Sequence, residues 1–193
     1  MGVPAPRLDL SLEATYRVAR VAGVDEAGRG PLAGPVVAAA CVIARDAHTL
    51  HDGVNDSKRL SAEEREALFE SLTADPTVGY AVSVVGRDVI DDINILQATM
   101  RAMSEAVQRL PASFAPELVL VDGPRCPDNL PAPAEPLVKG DSRCYSIAAA
   151  SIIAKVTRDR LMLDLHRRYP GYGFDSHMGY GTKDPVAALY RLR

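Results

Sequence analysis

Short unbroken apolar runs alternate along the chain with longer stretches in which apolar residues recur at helical spacing. Three β-branched or alanine-rich runs, at residues 21–24, 35–43 and 78–85, predict buried strands that can pair as an antiparallel meander. A fourth, wholly apolar run at residues 118–121 predicts a short strand. The prolines of residues 124–133 then predict a loop.

Helices are predicted between and after these strands. Ser61 and Glu64 form a capping box that opens the first helix, which continues to about Leu72. The other three helices are expected over residues 88–110, 141–168 and 184–193. The second of the four is expected to bury Ile93, Leu96, Met100, Met103 and Val107.

Strands interleaved with helices predict an α/β domain with a mixed sheet. The chain has no internal repeat and no break in composition that would mark a domain boundary. We therefore expect a single domain over residues 1–193, with residues 1–18 as an N-terminal extension.

The composition is that of an ordinary soluble protein. The 193 residues are 47% hydrophobic and 24% charged, which disfavours both a membrane protein and a disordered chain. The cysteines, Cys41, Cys126 and Cys144, have no C-x-x-C spacing, so they indicate neither a disulfide framework nor a zinc site. The first ten residues lack a signal-peptide pattern, and no apolar run reaches membrane-spanning length. We therefore expect a cytoplasmic protein that does not enter a membrane.

Charge is distributed unevenly along the chain, although the net charge is only −3. Residues 1–136 carry 12 Lys and Arg against 20 Asp and Glu, whereas residues 137–193 carry 10 against 5. The C-terminal third is therefore a basic element on an acidic body, which is compatible with binding a polyanion. Charge alone would more often indicate a solvated helix face.

Acidic residues follow two of the predicted strands. Asp25 and Glu26 follow the first strand and Asp122 follows the fourth, and open α/β sheets place their sites at the carboxyl ends of strands. Asp141 is expected to begin the third helix, where the helix dipole helps to keep its carboxylate ionised. Four carboxylates without histidine or thiolate favour Mg²⁺ or Mn²⁺ over zinc, and two such ions suit phosphodiester hydrolysis. Taken singly, each acid is more often a turn or cap residue, so the hypothesis is that they converge.

Six segments of the chain resemble the motifs of the ribonuclease HII family, in the family's order. Together with the strand that precedes them they span residues 21–183, which is nearly the whole chain. They are Gly23 to Val36 (GVDEAGRGPLAGPV), Asn55 to Lys58 (NDSK), Val121 to Gly123 (VDG), Lys139 to Ser142 (KGDS), Ala149 to Asp159 (AASIIAKVTRD) and His177 to Thr182 (HMGYGT).

This resemblance implies a ribonuclease H-like fold, in which a five-stranded mixed sheet is flanked by helices. It implies that Asp25, Glu26, Asp122 and Asp141 are the catalytic carboxylates and bind two Mg²⁺ or Mn²⁺ ions. The implied reaction cuts on the 5′ side of a ribonucleotide, in RNA–DNA hybrids and at single ribonucleotides embedded in duplex DNA, and leaves 3′-hydroxyl and 5′-phosphate ends. The implied cellular role is ribonucleotide excision repair and removal of RNA from hybrids.

The first motif also contains candidate substrate-binding residues. Gly28 and Gly30 would allow backbone amides to come close to a phosphate or a 2′-hydroxyl, although such a segment can also be a plain hairpin turn. The resemblance implies that this Gly-Arg-Gly turn reads the ribose. Arg29 stands where the related ribonuclease HIII typically has lysine, so it favours the HII family.

Tyr180 is the other candidate for recognising a ribonucleotide. By itself, a tyrosine between glycines is more often an exposed loop residue. The resemblance implies that its ring lies on a sugar while its hydroxyl reaches a 2′-hydroxyl, the group that distinguishes RNA from DNA.

Three further kinds of residue are assigned from these motifs. Lys58 and Arg143 are candidate phosphate contacts. His177 is interpreted as structural. Asp159, beside Arg158 and Arg160, is interpreted as a structural partner outside the catalytic set. Many members of the family continue with another helix and a basic tail, so we expect a C-terminal tail that is short relative to the family.

Two other functional classes were weighed. A dinucleotide-binding oxidoreductase is suggested by Gly28, Gly30 and Gly34, but the spacing is one residue too long, and residues 36–43 read as a strand where a helix is required. A noncatalytic hybrid-binding module would be expected to lack one or more of the four carboxylates, and all are present. The expected partners are RNA–DNA hybrid and ribonucleotide-containing duplex DNA, a sliding clamp is a candidate recruiting partner, and a monomer is expected.

Overall fold

The computed structural model describes residues 8–44 and 50–181 and contains a five-stranded sheet. The strands are β1 (Val21–Ala27), β2 (Val36–Ile43), β3 (Val78–Val85), β4 (Leu118–Asp122) and β5 (Ala134–Leu137). The α-helices are α1 (Ser11–Ala14), α2 (Ala62–Ala74), α3 (Arg87–Gln108), α4 (Tyr145–Arg168) and α5 (Phe174–His177). The strand order across the sheet is β3-β2-β1-β4-β5. The helix predicted over residues 184–193 lies outside the described residues.

The direction of the strands brings the ends of β1 and β4 to one edge of the sheet. Strands β1, β2 and β3 pair antiparallel, so the predicted meander is confirmed. Strand β4 runs parallel to β1, with Val24 beside Val121, and β5 runs parallel to β4, so the predicted mixed sheet is also confirmed. Parallel neighbours end at the same edge of a sheet. Asp25 follows Val24 and Asp122 follows Val121, so the two acids lie next to each other at that edge.

Helices cover both faces of this sheet. Strand β2 is buried along its whole length, as expected for an unbroken apolar run that is covered on both sides. One set of its side chains packs with α2 and α4, and the alternate set packs with α3. The predicted capping box of Ser61 and Glu64 opens α2. No helix in the described part of the chain is long and apolar enough to cross a membrane.

Helix α4 crosses β1 in direct contact. A Cβ atom at Gly23 would collide with the backbone of Ser146 and Ile147, so only glycine allows this approach. The small residues Ala148 to Ala150 and Ala154 of α4 are fully buried. The contact fixes the first half of α4 against the strand that carries two of the candidate acids.

The prediction that the long helix begins at Asp141 is wrong. Lys139 has a left-handed backbone with φ of 56°, and Gly140–Ser142 form a separate 3-10 turn before α4 begins. Cys144, with φ of −125° and ψ of 123°, is extended and cannot be part of a right-handed helix, so α4 begins only after it. Asp141 therefore lies in a turn, and the argument that the dipole of the long helix keeps its carboxylate ionised no longer applies.

Two features of the fold were not read from the hydrophobic pattern. Strand β5 is short and largely exposed, and it contains Pro136. Helix α3 is interrupted at Asn94, which has φ of 68° and whose side chain accepts hydrogen bonds from the backbone N–H groups of Leu96 and Gln97. Beyond this kink the predicted inner face is only partly right, because Met103 and Val107 are buried whereas Met100 is half-buried. Its remaining two predicted members, Ile93 and Leu96, are also half-buried.

Candidate active site

Four carboxylates lie at the edge of the sheet where β1 and β4 end. Asp25 is buried and Glu26 half-buried in β1, and Asp122 is half-buried as the last residue of β4. Asp141 is buried in the 3-10 turn that precedes α4. The backbone N–H of Gly140 donates a 2.7 Å hydrogen bond to Oδ1 of Asp122, which fixes that turn to the end of β4. Acids from three separate segments are thus held within electrostatic reach of one another.

Burial and mutual repulsion oppose ionisation of these carboxylates. Burial raises the pKa of Asp25 well above its usual range, and the negative charges of Glu26 and Asp122 raise it further. Burial, followed by the charge of Asp122, also raises the pKa of Glu26. The pKa of Asp141 is raised by burial and then by Asp56 and Asp122. Lys58 and Arg29 act in the opposite direction but do not fully compensate the negative charge, so a bound cation would be stabilised here.

Lys58 supplies one cation to the cluster. Its Nζ atom lies 3.6 Å from Oδ2 of Asp141, and its side chain is 79% exposed. Partial burial by itself would lower the pKa of Lys58. The carboxylates, Asp141 foremost, outweigh this effect and raise the pKa. Asp56 fixes the start of this segment by accepting a 3.0 Å hydrogen bond from the backbone N–H of Lys58. The structure therefore brings Lys58 to the edge of the carboxylate cluster.

Two serines that the sequence analysis did not single out contact the same cluster. Ser151 on α4 hydrogen-bonds to Asp25, and the hydroxyl of Ser57 lies 2.8 Å from that of Ser151. Asp25 also accepts a 2.7 Å hydrogen bond from the backbone N–H of Glu26 through Oδ1. Both serines lie within segments that resemble family motifs, and that resemblance was the signal that could have identified them. The hydrogen bond between Ser57 and Ser151 joins residues that are 94 positions apart in the chain, so local sequence does not reveal it.

The donor set suits a hard divalent cation. All four groups are carboxylates, and Mg²⁺ and Mn²⁺ prefer oxygen ligands. Within residues 8–44 and 50–181, no group of three or more acids, histidines or cysteines is already arranged to hold a metal ion. The residues therefore fit the ion by chemistry and by charge, and side-chain rotation has to complete the coordination.

The Gly-Arg-Gly turn directly follows the acidic pair of β1. Gly28 has φ of 107°, and a Cβ atom there would collide with the carbonyl oxygen of Pro35 and with Nε of Arg158, so only glycine fits. The Arg29 side chain is 50% exposed, with its nearest nitrogen 4.0 Å from Oε1 of Glu26. Arg29 is thus available to a ligand that approaches the carboxylates.

Tyr180 lies against the same turn. Its ring comes within 3.7 Å of a Cβ position built at Gly30, and the residue is 47% exposed. Leu32, which is 70% exposed, lies beside Gly181. The two candidate recognition elements, separated by about 150 residues in the chain, therefore form one surface next to the carboxylates.

Arg143 and His177, which were also singled out from the sequence, each bond to backbone groups of their own segment. Arg143 lies two residues beyond Asp141 and donates a 3.1 Å hydrogen bond to the carbonyl of Val138. His177 is enclosed in its own loop, since Nε2 lies 2.8 Å from the carbonyl of Tyr172 and Nδ1 accepts from the backbone N–H of Gly179. This arrangement fits the structural interpretation of His177.

The interpretation of Asp159 as a partner of Arg158 and Arg160 is wrong in its choice of partners. Asp159 pairs with Lys155, one turn earlier on α4, at 2.6 Å. Arg160 instead pairs with Glu66 on α2, and Arg158 points into the interior. Side chains next to each other on a helix point in different directions, whereas residues four apart lie on the same face.

Comparison with known proteins places the chain within one family. The family model for ribonuclease HII matches residues 22–193. A ribonuclease HII from Chlamydia caviae is 53% identical over 169 residues, which cover 88% of this chain and 77% of that protein.

Two solved structures share the fold. The ribonuclease H2 from Pyrococcus horikoshii superimposes with a TM-score of 0.69 at 33% identity, covering 88% of this chain and 84% of that one. A structure of the complex of PCNA with RNase HII from Archaeoglobus fulgidus also gives a TM-score of 0.69, at 28% identity, covering 90% of this chain and 87% of that one. The ribonuclease H-like fold that the sequence predicts is thereby confirmed.

Proposed function

The chain belongs to the ribonuclease HII family, and on that basis we propose that it hydrolyses the phosphodiester bond on the 5′ side of a ribonucleotide, including a single ribonucleotide embedded in duplex DNA. It is a ribonuclease H, an endonuclease that acts on RNA–DNA hybrids. The products of the proposed reaction are a 3′-hydroxyl and a 5′-phosphate end. The cellular role that follows is ribonucleotide excision repair.

The observation that supports this proposal is the meeting of four carboxylates at the ends of β1 and β4. Asp25, Glu26, Asp122 and Asp141 would hold two Mg²⁺ or Mn²⁺ ions, because the raised pKa values of Asp25, Glu26 and Asp141 mark a place where negative charge is not fully compensated. When bound, such ions stabilise the charge on the attacking and leaving oxygens of the phosphodiester. The protein's own part is to keep the four carboxylates on fixed elements at one edge of the sheet.

Residues around the cluster would orient the substrate. Arg29 and the backbone amides of Gly28 and Gly30 would read the ribose, and Tyr180 would lie on a sugar beside them. Lys58 would contact a phosphate, because its exposed ammonium lies next to Asp141 and can turn toward an anion. Arg143, in the same segment as Asp141, would contact a second phosphate.

The test compares three duplexes of one sequence, which are DNA with one ribonucleotide, an RNA–DNA hybrid and all-DNA. Each is incubated with Mg²⁺, Mn²⁺ or a chelator, and the product ends are mapped. We expect metal-dependent cleavage of the first two on the 5′ side of a ribonucleotide. Asp122→Asn, which keeps the side-chain volume, serves as the matched inactive control. Cleavage in chelator, cleavage of all-DNA, or a cut on the 3′ side would contradict the proposal.

A noncatalytic hybrid-binding module is the competing function, and the same assay separates the two. Binding of the hybrid without cleavage in either metal would favour the module. The partners we propose are RNA–DNA hybrid and ribonucleotide-containing DNA. A sliding clamp is a further candidate partner, since the Archaeoglobus fulgidus RNase HII is described in complex with PCNA. A monomeric state and a cytoplasmic location stay predictions from the sequence.

A further inference from the structure

Arg158 is a charged side chain buried in the interior of the protein, and it is only 1% exposed. It projects from α4, and all of its guanidinium nitrogens donate to backbone carbonyls. Nε donates to Pro35 at 3.0 Å, Nη2 to Ala33 at 2.9 Å and Nη1 to Met178 at 2.9 Å. A single side chain therefore joins two segments that lie more than 120 residues apart from each other in sequence.

The burial of this charge needs an explanation. Within the described ranges no carboxylate lies at ion-pair distance from Arg158. Desolvation lowers the pKa of its guanidinium, and the charges of Tyr180 and Asp159 offset this only in part, although an arginine stays charged in proteins. Burying an unpaired charge is unfavourable unless its hydrogen bonds are satisfied. Here three carbonyls arranged around the planar fork satisfy them. A lysine ammonium cannot reproduce this arrangement, because it lacks the fork.

The two segments that Arg158 joins are the two that carry the proposed ribose-recognition groups. Ala33 and Pro35 follow Arg29 and Gly30, while Met178 precedes Tyr180. The segments also contact each other, because the backbone N–H groups of Leu32 and Ala33 both donate to the carbonyl of Gly179, at 2.9 and 3.3 Å.

We propose that Arg158 is a positioning residue for ribonucleotide recognition, which fixes the spacing between the Gly-Arg-Gly turn and Tyr180 without touching the substrate. The proposal rests on the proposed function, since it assigns these two elements to the ribose. It accounts for the buried guanidinium, for its hydrogen bonds to three backbone carbonyls, and for the collision that a side chain at Gly28 would have with Nε. Arg158 acts on cleavage only through Arg29 and Tyr180.

The first experiment compares Arg158→Lys with Arg160→Lys, a matched change two residues later on the same helix, where Arg160 pairs with Glu66 at the surface. Cleavage of the single-ribonucleotide duplex is measured well below the melting temperature of each variant, with Mn²⁺ binding by calorimetry. For Arg158→Lys we expect kcat/KM to fall about 10- to 100-fold, the range that a misplacement of about 1 Å produces, with Mn²⁺ affinity unchanged. Arg160→Lys should change neither. Wild-type cleavage by Arg158→Lys, or an equal loss of Mn²⁺ binding, would overturn the proposal.

A double-mutant cycle with Tyr180→Ala separates positioning from a general structural role. If Arg158 acts through the Tyr180 segment, adding Arg158→Lys to Tyr180→Ala should lower kcat/KM by less than about a further threefold. Losses that simply multiply would show that the two residues act independently, and would overturn the proposal.

Hydrogen exchange of the wild-type chain keeps the proposal testable even if Arg158→Lys does not fold or if the chain cuts no ribonucleotide. The amides of Leu32 and Ala33 should exchange slowly and together, since both bond to Gly179 in the clamped arrangement. Exchange at the rate of an unprotected loop would show that the segments are not held, and the positioning role would be wrong. Failure of the proposed function is distinguishable, because it appears as absence of wild-type cleavage while this protection persists.

Discussion

At the scale of single residues, Asp25 connects the stability of the fold with the proposed metal site. Its pKa is raised in the folded protein by burial, by Glu26 and by Asp122. The folded state therefore binds the proton more tightly than the unfolded chain does. The resulting stability is present at acid pH and is lost as the pH rises from the ordinary carboxyl range through the raised pKa. The metal-free protein is therefore less stable at neutral pH than it would be without this carboxyl group.

Asp25→Asn is therefore expected to raise the melting temperature of the metal-free protein at neutral pH and to change it little at pH about 4. The same substitution should reduce cleavage to less than about one-tenth of wild type, because charge needed by the cations is removed with little change in volume. Thermal unfolding in chelator at the two pH values, with a cleavage assay in Mg²⁺, checks both parts. A variant that is less stable at neutral pH and still cleaves would show that Asp25 is a structural residue.

The raised pKa values of Asp25, Glu26 and Asp141 also predict how metal binding depends on pH. The carboxylates must lose any bound protons before they hold a cation, so Mn²⁺ affinity should rise with pH across the range in which they ionise. Calorimetry at mildly acidic pH in two buffers of different ionisation enthalpy should detect proton release on Mn²⁺ binding. Asp122→Asn should release fewer protons, since the pKa values of its neighbours fall when its charge is removed. Affinity that is constant from acid to neutral pH would contradict this prediction.

Tyr180 offers a prediction that separates recognition from chemistry. Tyr180→Phe keeps the ring that lies against Gly30 and should retain part of the single-ribonucleotide cleavage. Tyr180→Ala removes the ring as well, so most of the activity should be lost, on the order of a hundredfold, through misplacement of the scissile bond. Mn²⁺ affinity should be unchanged in both. Cleavage by Tyr180→Ala at the wild-type rate would exclude the recognition role, and lost Mn²⁺ binding would assign Tyr180 to support of the metal site.

The acids were predictable from the sequence because they directly follow apolar runs that predict strands, and the motif resemblance joined them into one site. The contacts of Ser151 with Asp25 and of Arg158 with the two recognition segments were not predictable in the same way. They depend on how α4 is rotated and where it crosses the sheet, and no local pattern encodes that placement. The polar residues of α4 were therefore interpreted from their neighbours in sequence, which led to the wrong partners for Asp159.

At the scale of elements, the strands and helices with strong apolar patterns were predicted and the weaker ones were not. Strands β1 to β4 and the start of α2 follow from burial and capping chemistry. Strand β5 lies at the edge of the sheet, contains a proline and buries little, so its pairing with β4 is what makes it a strand. The late start of α4 depends on the extended backbone of Cys144, which side-chain type does not reveal.

The N-terminal extension has an element-scale role that the sequence did not indicate. Glu13 of α1 is buried, and its Oε1 atom accepts from the backbone N–H of Ser146 at 2.8 Å and from the hydroxyl of Ser146 at 2.9 Å. Cys144, the N-cap residue of α4, forms no side-chain capping bond of its own. A carboxylate from a distant segment thus takes the place of the missing N-cap at the positive end of this helix.

Glu13→Ala is expected to lower the free energy of unfolding by about 1–3 kcal/mol, because the buried donors at the start of α4 lose their acceptor. Glu13→Gln keeps an acceptor oxygen and should lose less. Glu70→Ala, an exposed acid on α2, serves as the control and should change stability by less than about 0.5 kcal/mol. Urea unfolding of the four proteins provides the measurement. If Glu13→Ala is as stable as the control, α1 does not cap α4.

At the scale of the whole molecule, the described part of the basic C-terminal third, residues 137–181, does not form the continuous cationic surface that the charge of this segment suggested. The first half of α4 is buried against the sheet, so it is core and does not lie along a duplex. On its second half, Lys155 pairs with Asp159, Arg160 with Glu66 and Arg167 with Asp164. The interpretation of these charges as a solvated helix face therefore describes much of this helix. The cations that remain candidates for phosphate contact lie nearer the carboxylates.

Arg143 and Arg160 give the sharpest test of which cations bind the duplex. Arg143 lies two residues from Asp141 and bonds only to the carbonyl of Val138 among the contacts described, so its charge is available to a phosphate. Arg160 is already paired with Glu66. Each phosphate contact contributes about 0.9 to the slope of log affinity against log salt concentration, because counterions are released. Arg143→Ala should therefore weaken binding of any duplex sequence and reduce the salt slope by about one. Arg160→Ala should leave the slope unchanged.

Fluorescence anisotropy with a labelled duplex in Ca²⁺ or chelator, over a series of salt concentrations, measures both slopes. Equal slopes for Arg143→Ala and wild type would remove Arg143 from the substrate surface, whereas a reduced slope for Arg160→Ala would return α4 to it.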